Sequence, residues 1–170
     1  MREIRTATVA DLARVEEIYA AAQRFMVAAG NPSQWGPGFP GRQVLEGDVA
    51  SGALKVCAGP DGVPQGCFVL LEGPDPTYGR IYDGAWTDEG PYLVVHRFAT
   101  AVQGRGVGSA MMGWALGRAR ERGWALRVDT HRDNLPMQGL LRSRGFSYCG
   151  VIRLADGSER IAFCLPPVRP

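Results

Sequence analysis

The chain is organised around the stretch Gln103-Gly104-Arg105-Gly106-Val107-Gly108-Ser109, in which glycine alternates with other residues. An apolar run over Tyr92–Thr100 precedes this stretch and predicts a mostly buried strand. Apolar residues at helical spacing follow it and predict a helix. Glycines between a strand and a helix let the backbone approach a ligand and direct several N–H groups the same way. The stretch therefore predicts an anion-binding turn, and a tight connection without a ligand is the alternative.

Positive charge is concentrated in the part of the chain that begins with this turn. From Arg105 to Arg144 the sequence has eight Arg against Glu121, Asp129 and Asp133, a local net charge of +5, whereas the whole chain carries +2. A phosphate-rich ligand explains this asymmetry better than solubility alone does. A net charge of +2 with a pI near 8.4 does not suggest a nucleic-acid binder.

Length and composition indicate one ordinary globular domain over residues 1–170, long enough to bury a core without staples. Hydrophobic residues make up 45% of the chain and charged residues 21%, as in globular proteins generally. No apolar run resembles a signal peptide or a membrane span, which predicts a cytoplasmic protein without a membrane partner. Four Cys without CxxC spacing and two His predict free thiols and no metal site.

Hydrophobic periodicity and turn residues predict the other elements. A loop rich in Gly and Pro, residues 31–41, separates two helices, and an irregular segment, residues 73–90, precedes the central strand. The predicted order is strand 3–7, a helix ending at Gly30, helix 42–51, strands 54–58 and 66–72, strand 92–100, the glycine-rich turn with its helix, strand 125–129, a helix capped by Asn134, and a hairpin within 146–165. The strand at 125–129 is expected to run parallel to the central strand.

This order resembles that of the GNAT superfamily of N-acetyltransferases, over residues 4–165. The most specific match is to the pyrophosphate motif of that family, Gln/Arg-x-x-Gly-x-Gly/Ala, which corresponds to Gln103, Gly106 and Gly108. The resemblance implies an α/β fold with a mixed, mostly antiparallel sheet, one parallel and splayed strand pair, and helices on both faces.

A second match lies in the last helix and has the sequence Asn134-x-x-Met137-x-x-Leu140-Leu141-x-x-x-Gly145-Phe146. It is similar to the family's helix beside the pantetheine of the cofactor. The resemblance therefore implies that Asn134 and Met137 contact the cofactor.

The resemblance implies direct transfer of an acetyl group from acetyl-CoA to a primary amine. The pantetheine would pair with backbone groups of the splayed strand, and a backbone N–H there would stabilise the oxyanion. The implied contacts on the strand are Phe98, Ala99 and Thr100. The residues implied to contact the pyrophosphate are Gln103, Gly104, Arg105, Gly106, Val107, Gly108 and Ser109.

Proton transfer departs from the pattern of the family. In many members a Tyr near the end of the last helix protonates the leaving thiolate, and Leu141 occupies that position here. A thiol with a pKa near ~8.5 can leave as a thiolate, so transfer need not be lost. A lysine-like amine with a pKa of ~10.4 must lose a proton, at a cost of about 4.6 kcal/mol at pH 7. His96 is the candidate base, with a structural role as the alternative, whereas His131 is expected to belong to a loop or helix entry.

The acceptor amine is expected to enter between the 31–41 loop and the final hairpin. The candidate residues are two rings of the loop and three residues of the irregular segment: Trp35, Phe39, Tyr82, Asp83 and Trp86. Aromatic rings and a carboxylate suit an ammonium group with an apolar body. Anchoring of the loop is the alternative role for the two loop rings. The acceptor's identity is left open, as is the choice between a monomer and a homodimer.

Two other functions fit parts of the sequence. Asp129 follows Gly108 by 21 residues, as in a dinucleotide-binding fingerprint, although the glycines are spaced GxGxG rather than GxGxxG. Leu141 in place of a proton donor is compatible with a non-catalytic module that binds acyl-CoA. The sequence favours the N-acetyltransferase. On the strand after the last helix, Tyr148 and Cys149 are expected to pack in the core.

Overall fold

A computed structural model describes residues 2–167 of the chain. These residues form seven strands, four α-helices and two single-turn 3-10 helices, Val9–Asp11 and Pro76–Tyr78. The main elements in chain order are β1 (Glu3–Thr6), α1 (Leu12–Ala28), α2 (Arg42–Ala50), β2 (Leu54–Ala58), β3 (Pro64–Glu72), β4 (Tyr92–Thr100), α3 (Val107–Arg122), β5 (Ala125–Thr130), α4 (Leu135–Ser143), β6 (Ser147–Arg153) and β7 (Glu159–Leu165).

The seven strands lie in one sheet in the order β1-β2-β3-β4-β5-β7-β6. β4 and β5 are parallel, with Tyr92 opposite Ala125 and Val95 opposite Val128. The pairs β1–β2, β2–β3, β5–β7 and β6–β7 are antiparallel. The 16 residues of α3 form the crossover that a parallel pair requires. The predicted fold class, a mixed and mostly antiparallel sheet with one parallel strand pair, is confirmed.

Contacts divide the chain into two compact units, and β4 and α3 each contribute residues to both. The first unit comprises Met1–Leu70 with His96–Trp114, and the second comprises Leu71–Val95 with Ala115–Pro170. The single domain expected from the sequence stays a prediction.

The core of the first unit is built on the apolar stripe of α1. Val15, Ile18 and Tyr19 are at most 2% exposed, at the spacing that places residues on one helical face. They belong to one buried cluster with apolar residues of β2 and β3. Each fully buried side chain of this size contributes about 1.5–3 kcal/mol. The stripe on α1 therefore packs in the core, as the sequence predicts.

In the second unit, the irregular segment before β4 is bonded directly to β6. The backbones of Tyr82 and Val151 exchange two hydrogen bonds of 2.8 Å. A Cβ on Gly84 would lie 2.0 Å from the carbonyl oxygen of Cys149, and a Cβ on Gly150 would lie 2.5 Å from that of Tyr82. Glycine at these two positions therefore lets the two backbones touch.

Candidate functional site

The turn between β4 and α3 has a left-handed backbone at two of its glycines, with φ of 69° at Gly104 and 71° at Gly106. A Cβ on Gly104 would meet nothing within 4 Å, and one on Gly106 would meet only Arg2 Nη1, at 3.9 Å. Backbone conformation, rather than space, therefore requires glycine here. The amide of Ala110 donates to the carbonyl of Gly106 at 3.0 Å and closes the first turn of α3. The start of a helix presents amide donors and a partial positive charge, which suit an anion.

Neighbouring groups of the first unit hold this turn in place. The side-chain amide of Gln103 donates to Thr100 Oγ1 at 2.9 Å, and Arg2 donates to the carbonyl of Arg105. On β3, a Cβ at Gly66 would lie 2.8 Å from Val107 Cγ1. Glycine at this position therefore lets the start of α3 pack directly on β3. Residues 103–106 themselves are exposed.

Four of the eight arginines from Arg105 to Arg144 are engaged with other side chains of the second unit. Arg127 is 4% exposed and lies between the rings of Trp86 and Tyr92, with its Cζ 4.1 and 3.8 Å from their centroids. Three other Arg side chains pair with carboxylates of the second unit: Arg118 with Glu121, Arg122 with Glu72, and Arg132 with Glu159. The charge asymmetry is thus weak evidence for a phosphate ligand, and the case for an anion site rests on the backbone of the turn.

Strand β4 contains a left-handed residue that is not glycine. Arg97 has φ 49°, which is uncommon for a residue with a side chain and costs about 1–3 kcal/mol. Its carbonyl accepts a hydrogen bond of 2.7 Å from the Tyr19 hydroxyl, and its guanidinium binds both carboxylate oxygens of Asp48 at 2.7–3.1 Å. Burial raises the pKa of Tyr19 well above its usual value, so the hydroxyl stays protonated and donates.

Sequence reasoning missed these three residues. The available signal is the charge of Arg97 inside a mostly apolar strand, because a half-buried guanidinium needs a carboxylate partner. Periodicity alone does not show which carboxylate pairs with Arg97.

The candidate base and the predicted pantetheine contacts flank Arg97. His96 and Phe98 are half-buried and Ala99 is buried. The ring of Phe98 packs on that of Phe68, with centroids 6.0 Å apart. The catalytic role of His96 and the cofactor contacts of Phe98, Ala99 and Thr100 stay predictions.

At the start of α4, in the second unit, Asn134 is the predicted N-cap. Its Oδ1 accepts a hydrogen bond of 3.2 Å from the amide of Met137. The capping role is therefore confirmed, whereas contact of Asn134 and Met137 with a cofactor stays a prediction. Leu141, at the position of the missing proton donor, is fully buried in the same helix.

Two ionisable residues at the end of β5 are used within the fold. Asp129 Oδ1 accepts a hydrogen bond of 2.6 Å from the Tyr78 hydroxyl, an arrangement that argues against a ribose-binding carboxylate and the dinucleotide alternative. His131 Nδ1 accepts from the amide of Asp133 at 3.1 Å. Burial, followed by the charge of Arg160, lowers the pKa of His131 and favours its neutral form. These contacts agree with the loop role expected for His131.

The two loop rings proposed to bind the acceptor lie together in the first unit. The centroids of Trp35 and Phe39 are 5.3 Å apart, and the Trp35 ring stands edge-on to Tyr19 at 5.6 Å. The side-chain amide of Gln23 donates to the carbonyl of Trp35 at 3.1 Å and helps to fix the loop. Trp35 is half-buried and Phe39 is 37% exposed, so Phe39 in particular presents apolar surface.

The other three acceptor candidates belong to the second unit. The Trp86 ring already covers Arg127, and its Nε1 donates to the carbonyl of Tyr78 at 3.1 Å. The ring of Tyr82 has Arg80 and Arg153 within 4.6 and 4.3 Å of its centroid. Because these rings have cation partners in the chain itself, they are weaker acceptor candidates than the loop rings. The role of exposed Asp83 stays a prediction.

The core packing expected for Tyr148 is wrong, whereas Cys149 is buried at 3% exposure. Tyr148 is 50% exposed, and its ring packs edge-on against that of Phe163, with centroids 6.0 Å apart. β6 is the last strand of the sheet order. An edge strand has a sheet neighbour on one side only, which leaves its side chains less covered than those of a central strand.

Among residues 2–167 no group of three or more His, Cys, Asp or Glu is arranged to hold a metal ion. No helix in the same range has the length and apolar character needed to cross a membrane.

Several solved structures share this fold. A GNAT-family acetyltransferase from Streptococcus agalactiae is 29% identical with a TM-score of 0.84, over 99% of this chain and 96% of that chain. The ribosomal-protein-S18-alanine N-acetyltransferase of Escherichia coli is 16% identical with a TM-score of 0.67, and the match covers 100% of this chain and 96% of that chain. The NatC complex bound to Gag peptide and CoA contains a chain that is 14% identical with a TM-score of 0.60, and the match covers 97% of this chain and 98% of that chain.

No curated protein matches the sequence. The model of the acetyltransferase (GNAT) family, in contrast, matches residues 48–146, which is more than half of the chain and includes the glycine-rich turn. The chain therefore belongs to the GNAT acetyltransferase family, and the class of enzyme predicted from the sequence, a GNAT-type N-acetyltransferase, is confirmed.

Proposed function

We propose that the protein transfers an acetyl group from acetyl-CoA to a primary amine, and that the turn from Gln103 to Ser109 binds the pyrophosphate of the cofactor. The observation that carries this proposal is the left-handed backbone at Gly104 and Gly106 directly before the first turn of α3. A turn of this kind brings helix amides to an anion without side chains in the way. The CoA bound to the NatC complex, which shares the fold, supports the choice of cofactor.

The reaction needs a positioned thioester and a deprotonated amine. The amine nitrogen attacks the carbonyl carbon of the thioester, a C–N bond forms, and the carbonyl oxygen becomes an oxyanion. Collapse of this intermediate breaks the C–S bond, and CoA leaves as a thiolate. The nitrogen loses its proton to a base, for which His96 is the candidate, and the thiolate takes a proton from solvent in place of the side chain missing at Leu141. A backbone N–H of Phe98, Ala99 or Thr100 donates to the oxyanion.

We further propose that the apolar surface of Trp35 and Phe39 contacts the body of the acceptor. An aromatic ring attracts an ammonium group by about 0.5–2 kcal/mol. The rings of Trp35 and Phe39 are tilted against each other by 34°, with centroids 5.3 Å apart, and together they offer a larger aromatic surface than either alone. Tyr82, Asp83 and Trp86 stay secondary candidates. The acceptor is either a small amine or an amine of a protein. The Escherichia coli neighbour, a ribosomal-protein-S18-alanine N-acetyltransferase, is an example of the second class. A cytoplasmic location is supported by four free, buried thiols.

Thermal unfolding in the presence of acetyl-CoA, NAD or NADP tests the cofactor assignment. A ligand at a hundred times its dissociation constant adds about 2.7 kcal/mol to the free energy of unfolding, so acetyl-CoA alone is expected to raise the Tm. The variant Gly106→Asp should fold but lose this response, because a carboxylate would face the pyrophosphate. An unchanged Tm of the wild type with acetyl-CoA refutes the assignment.

The second test separates an enzyme from a non-catalytic acyl-CoA-binding module, which buried Leu141 leaves as the other candidate. Release of the CoA thiol is followed with a panel of small amines and peptides. Amine-dependent release supports transfer, whereas tight binding of acetyl-CoA without release supports the binding module.

A further inference from the structure

We infer that Tyr19, Asp48 and Arg97 form a positioning network that aims the N–H of Phe98 at the carbonyl oxygen of the bound acetyl group. The inference rests on the proposed function, and it adds residues of α1 and α2 to the acyl-transfer machinery. None of the three needs to touch the cofactor, since each acts through the backbone of β4.

The geometry of one peptide group links Tyr19 to Phe98. The Arg97 carbonyl and the Phe98 N–H belong to the same planar peptide and point in opposite directions when it is trans. The Tyr19 hydroxyl holds that carbonyl at 2.7 Å and thereby sets the direction of the N–H. A carbonyl that accepts a hydrogen bond also makes the N–H of the same peptide a better donor.

The Asp48–Arg97 ion pair supports the unusual backbone at this point. Arg97 takes φ 49° in the middle of β4, where an ordinary strand residue has a negative φ. Its guanidinium binds Asp48 through two nitrogens, and the two side chains are only 21% and 14% exposed. A partly buried two-point pair of this kind has a defined geometry. It therefore holds the residue in a conformation that an arginine seldom adopts.

The ring of Tyr19 is fixed independently of its hydroxyl. The residue is 2% exposed within the core cluster of the first unit, and its ring contacts that of Trp35. Tyr19→Phe therefore removes the hydrogen bond to Arg97 and leaves the ring packing in place. A matched control is Tyr92→Phe, because the Tyr92 hydroxyl accepts a backbone hydrogen bond of 3.0 Å from Asp75 in the second unit.

The first experiment reads the hydrogen bond to the acetyl group directly. The infrared carbonyl stretch of acetyl-CoA labelled with 13C at the carbonyl is recorded on wild type, Tyr19→Phe and Tyr92→Phe at saturation. A hydrogen bond lowers this frequency, so we expect Tyr19→Phe to shift it upwards and Tyr92→Phe to leave it unchanged. This measurement requires no acceptor. A frequency in Tyr19→Phe equal to that of the wild type overturns the inference.

The second experiment measures turnover with the best amine of the panel. Misdirecting a donor to the oxyanion is expected to lower kcat at least about tenfold in Tyr19→Phe, with the dissociation constant of CoA within about twofold. Asp48→Asn should also lower kcat, and it replaces Tyr19→Phe in this experiment if Tyr19→Phe does not fold. An unchanged kcat in a folded variant overturns the inference.

The third experiment distinguishes positioning from a structural ion pair. Arg97→Gly and Arg97→Val both remove the ion pair with Asp48, but only glycine takes a positive φ without strain. We expect kcat of Arg97→Gly to exceed that of Arg97→Val about tenfold. Equal values in the two variants show that the backbone conformation is irrelevant to turnover.

The two levels of the proposal fail in different ways. If the proposed function is wrong, wild-type protein either does not bind acetyl-CoA or binds it and releases no CoA thiol with any amine of the panel. If only the positioning network is wrong, all variants bind acetyl-CoA and Tyr19→Phe resembles Tyr92→Phe in carbonyl frequency and kcat.

Discussion

Replacing Gly106 by alanine tests whether the left-handed turn binds the cofactor. The added methyl group has room, since only Arg2 Nη1 lies within 4 Å, at 3.9 Å. The cost of the substitution is therefore conformational: a residue with a Cβ pays about 1–2 kcal/mol to keep φ near the observed 71°.

This cost can appear in the free energy of unfolding or in the free energy of CoA binding, and the sum of the two losses is predictable. If the variant keeps the left-handed turn, its free energy of unfolding falls by about 1–2 kcal/mol while its affinity for CoA stays unchanged. If the turn relaxes to negative φ, stability is retained and affinity falls by about five- to thirtyfold, the same free energy. In both cases the CoA-bound protein loses about 1–2 kcal/mol relative to the unfolded chain.

Urea unfolding without ligand and calorimetric titration with CoA together measure this sum. The control is Gly117→Ala in α3, where φ is not left-handed and a Cβ would meet nothing within 4 Å. An alanine inside a helix is expected to raise stability by about 0.5–1 kcal/mol without changing affinity. If Gly106→Ala changes neither stability nor affinity, the left-handed turn has no part in CoA binding.

Three further predictions concern stability and the acceptor. Hydrogen bonds from Arg5 hold the pKa of Asp11 at about 2. Because this value is below the ~3.9 of an unfolded chain, their contribution of about 1–2 kcal/mol is complete above pH 4 and is lost between about pH 4 and 2. Gly84→Ala should lower the free energy of unfolding by about 1–3 kcal/mol in a urea titration, because its Cβ would lie 2.0 Å from the carbonyl oxygen of Cys149. Trp35→Ala should raise the acceptor KM and leave acetyl-CoA affinity within about twofold, in steady-state kinetics and calorimetry.

Each of these predictions has its own control. For Asp11→Asn, the difference in stability from the wild type should be present at pH 7 and absent near pH 2, and a difference independent of pH contradicts the assignment. Gly79→Ala places its Cβ 3.8 Å from its nearest neighbour, so it should cost much less than Gly84→Ala. A parallel loss of CoA and acceptor binding in Trp35→Ala would make this ring part of the scaffold.

Much of the fold can be predicted from local patterns. The bounds of β4 and the capping role of Asn134 agree with the structure because periodicity and capping depend on residues a few positions apart. The glycine-rich turn was identified in the same way, since Gly104 and Gly106 adopt conformations that few other residues take.

The destinations of the charged side chains could not be predicted in this way. The sequence associates the arginines after the turn with a phosphate, whereas Arg127 is buried between two rings and several others pair with carboxylates. The net charge of a segment does not show where its individual side chains point, because successive side chains on a strand point to opposite faces of the sheet.

By itself, the sequence determined the order of the elements and the turn that can receive an anion, because both follow from the conformational preferences of neighbouring residues. Only the tertiary structure decided the conformation of Arg97. Its partners Tyr19 and Asp48 are 78 and 49 residues away along the chain. A left-handed arginine is unfavourable on its own, and it persists here because contacts formed only after folding outweigh its strain.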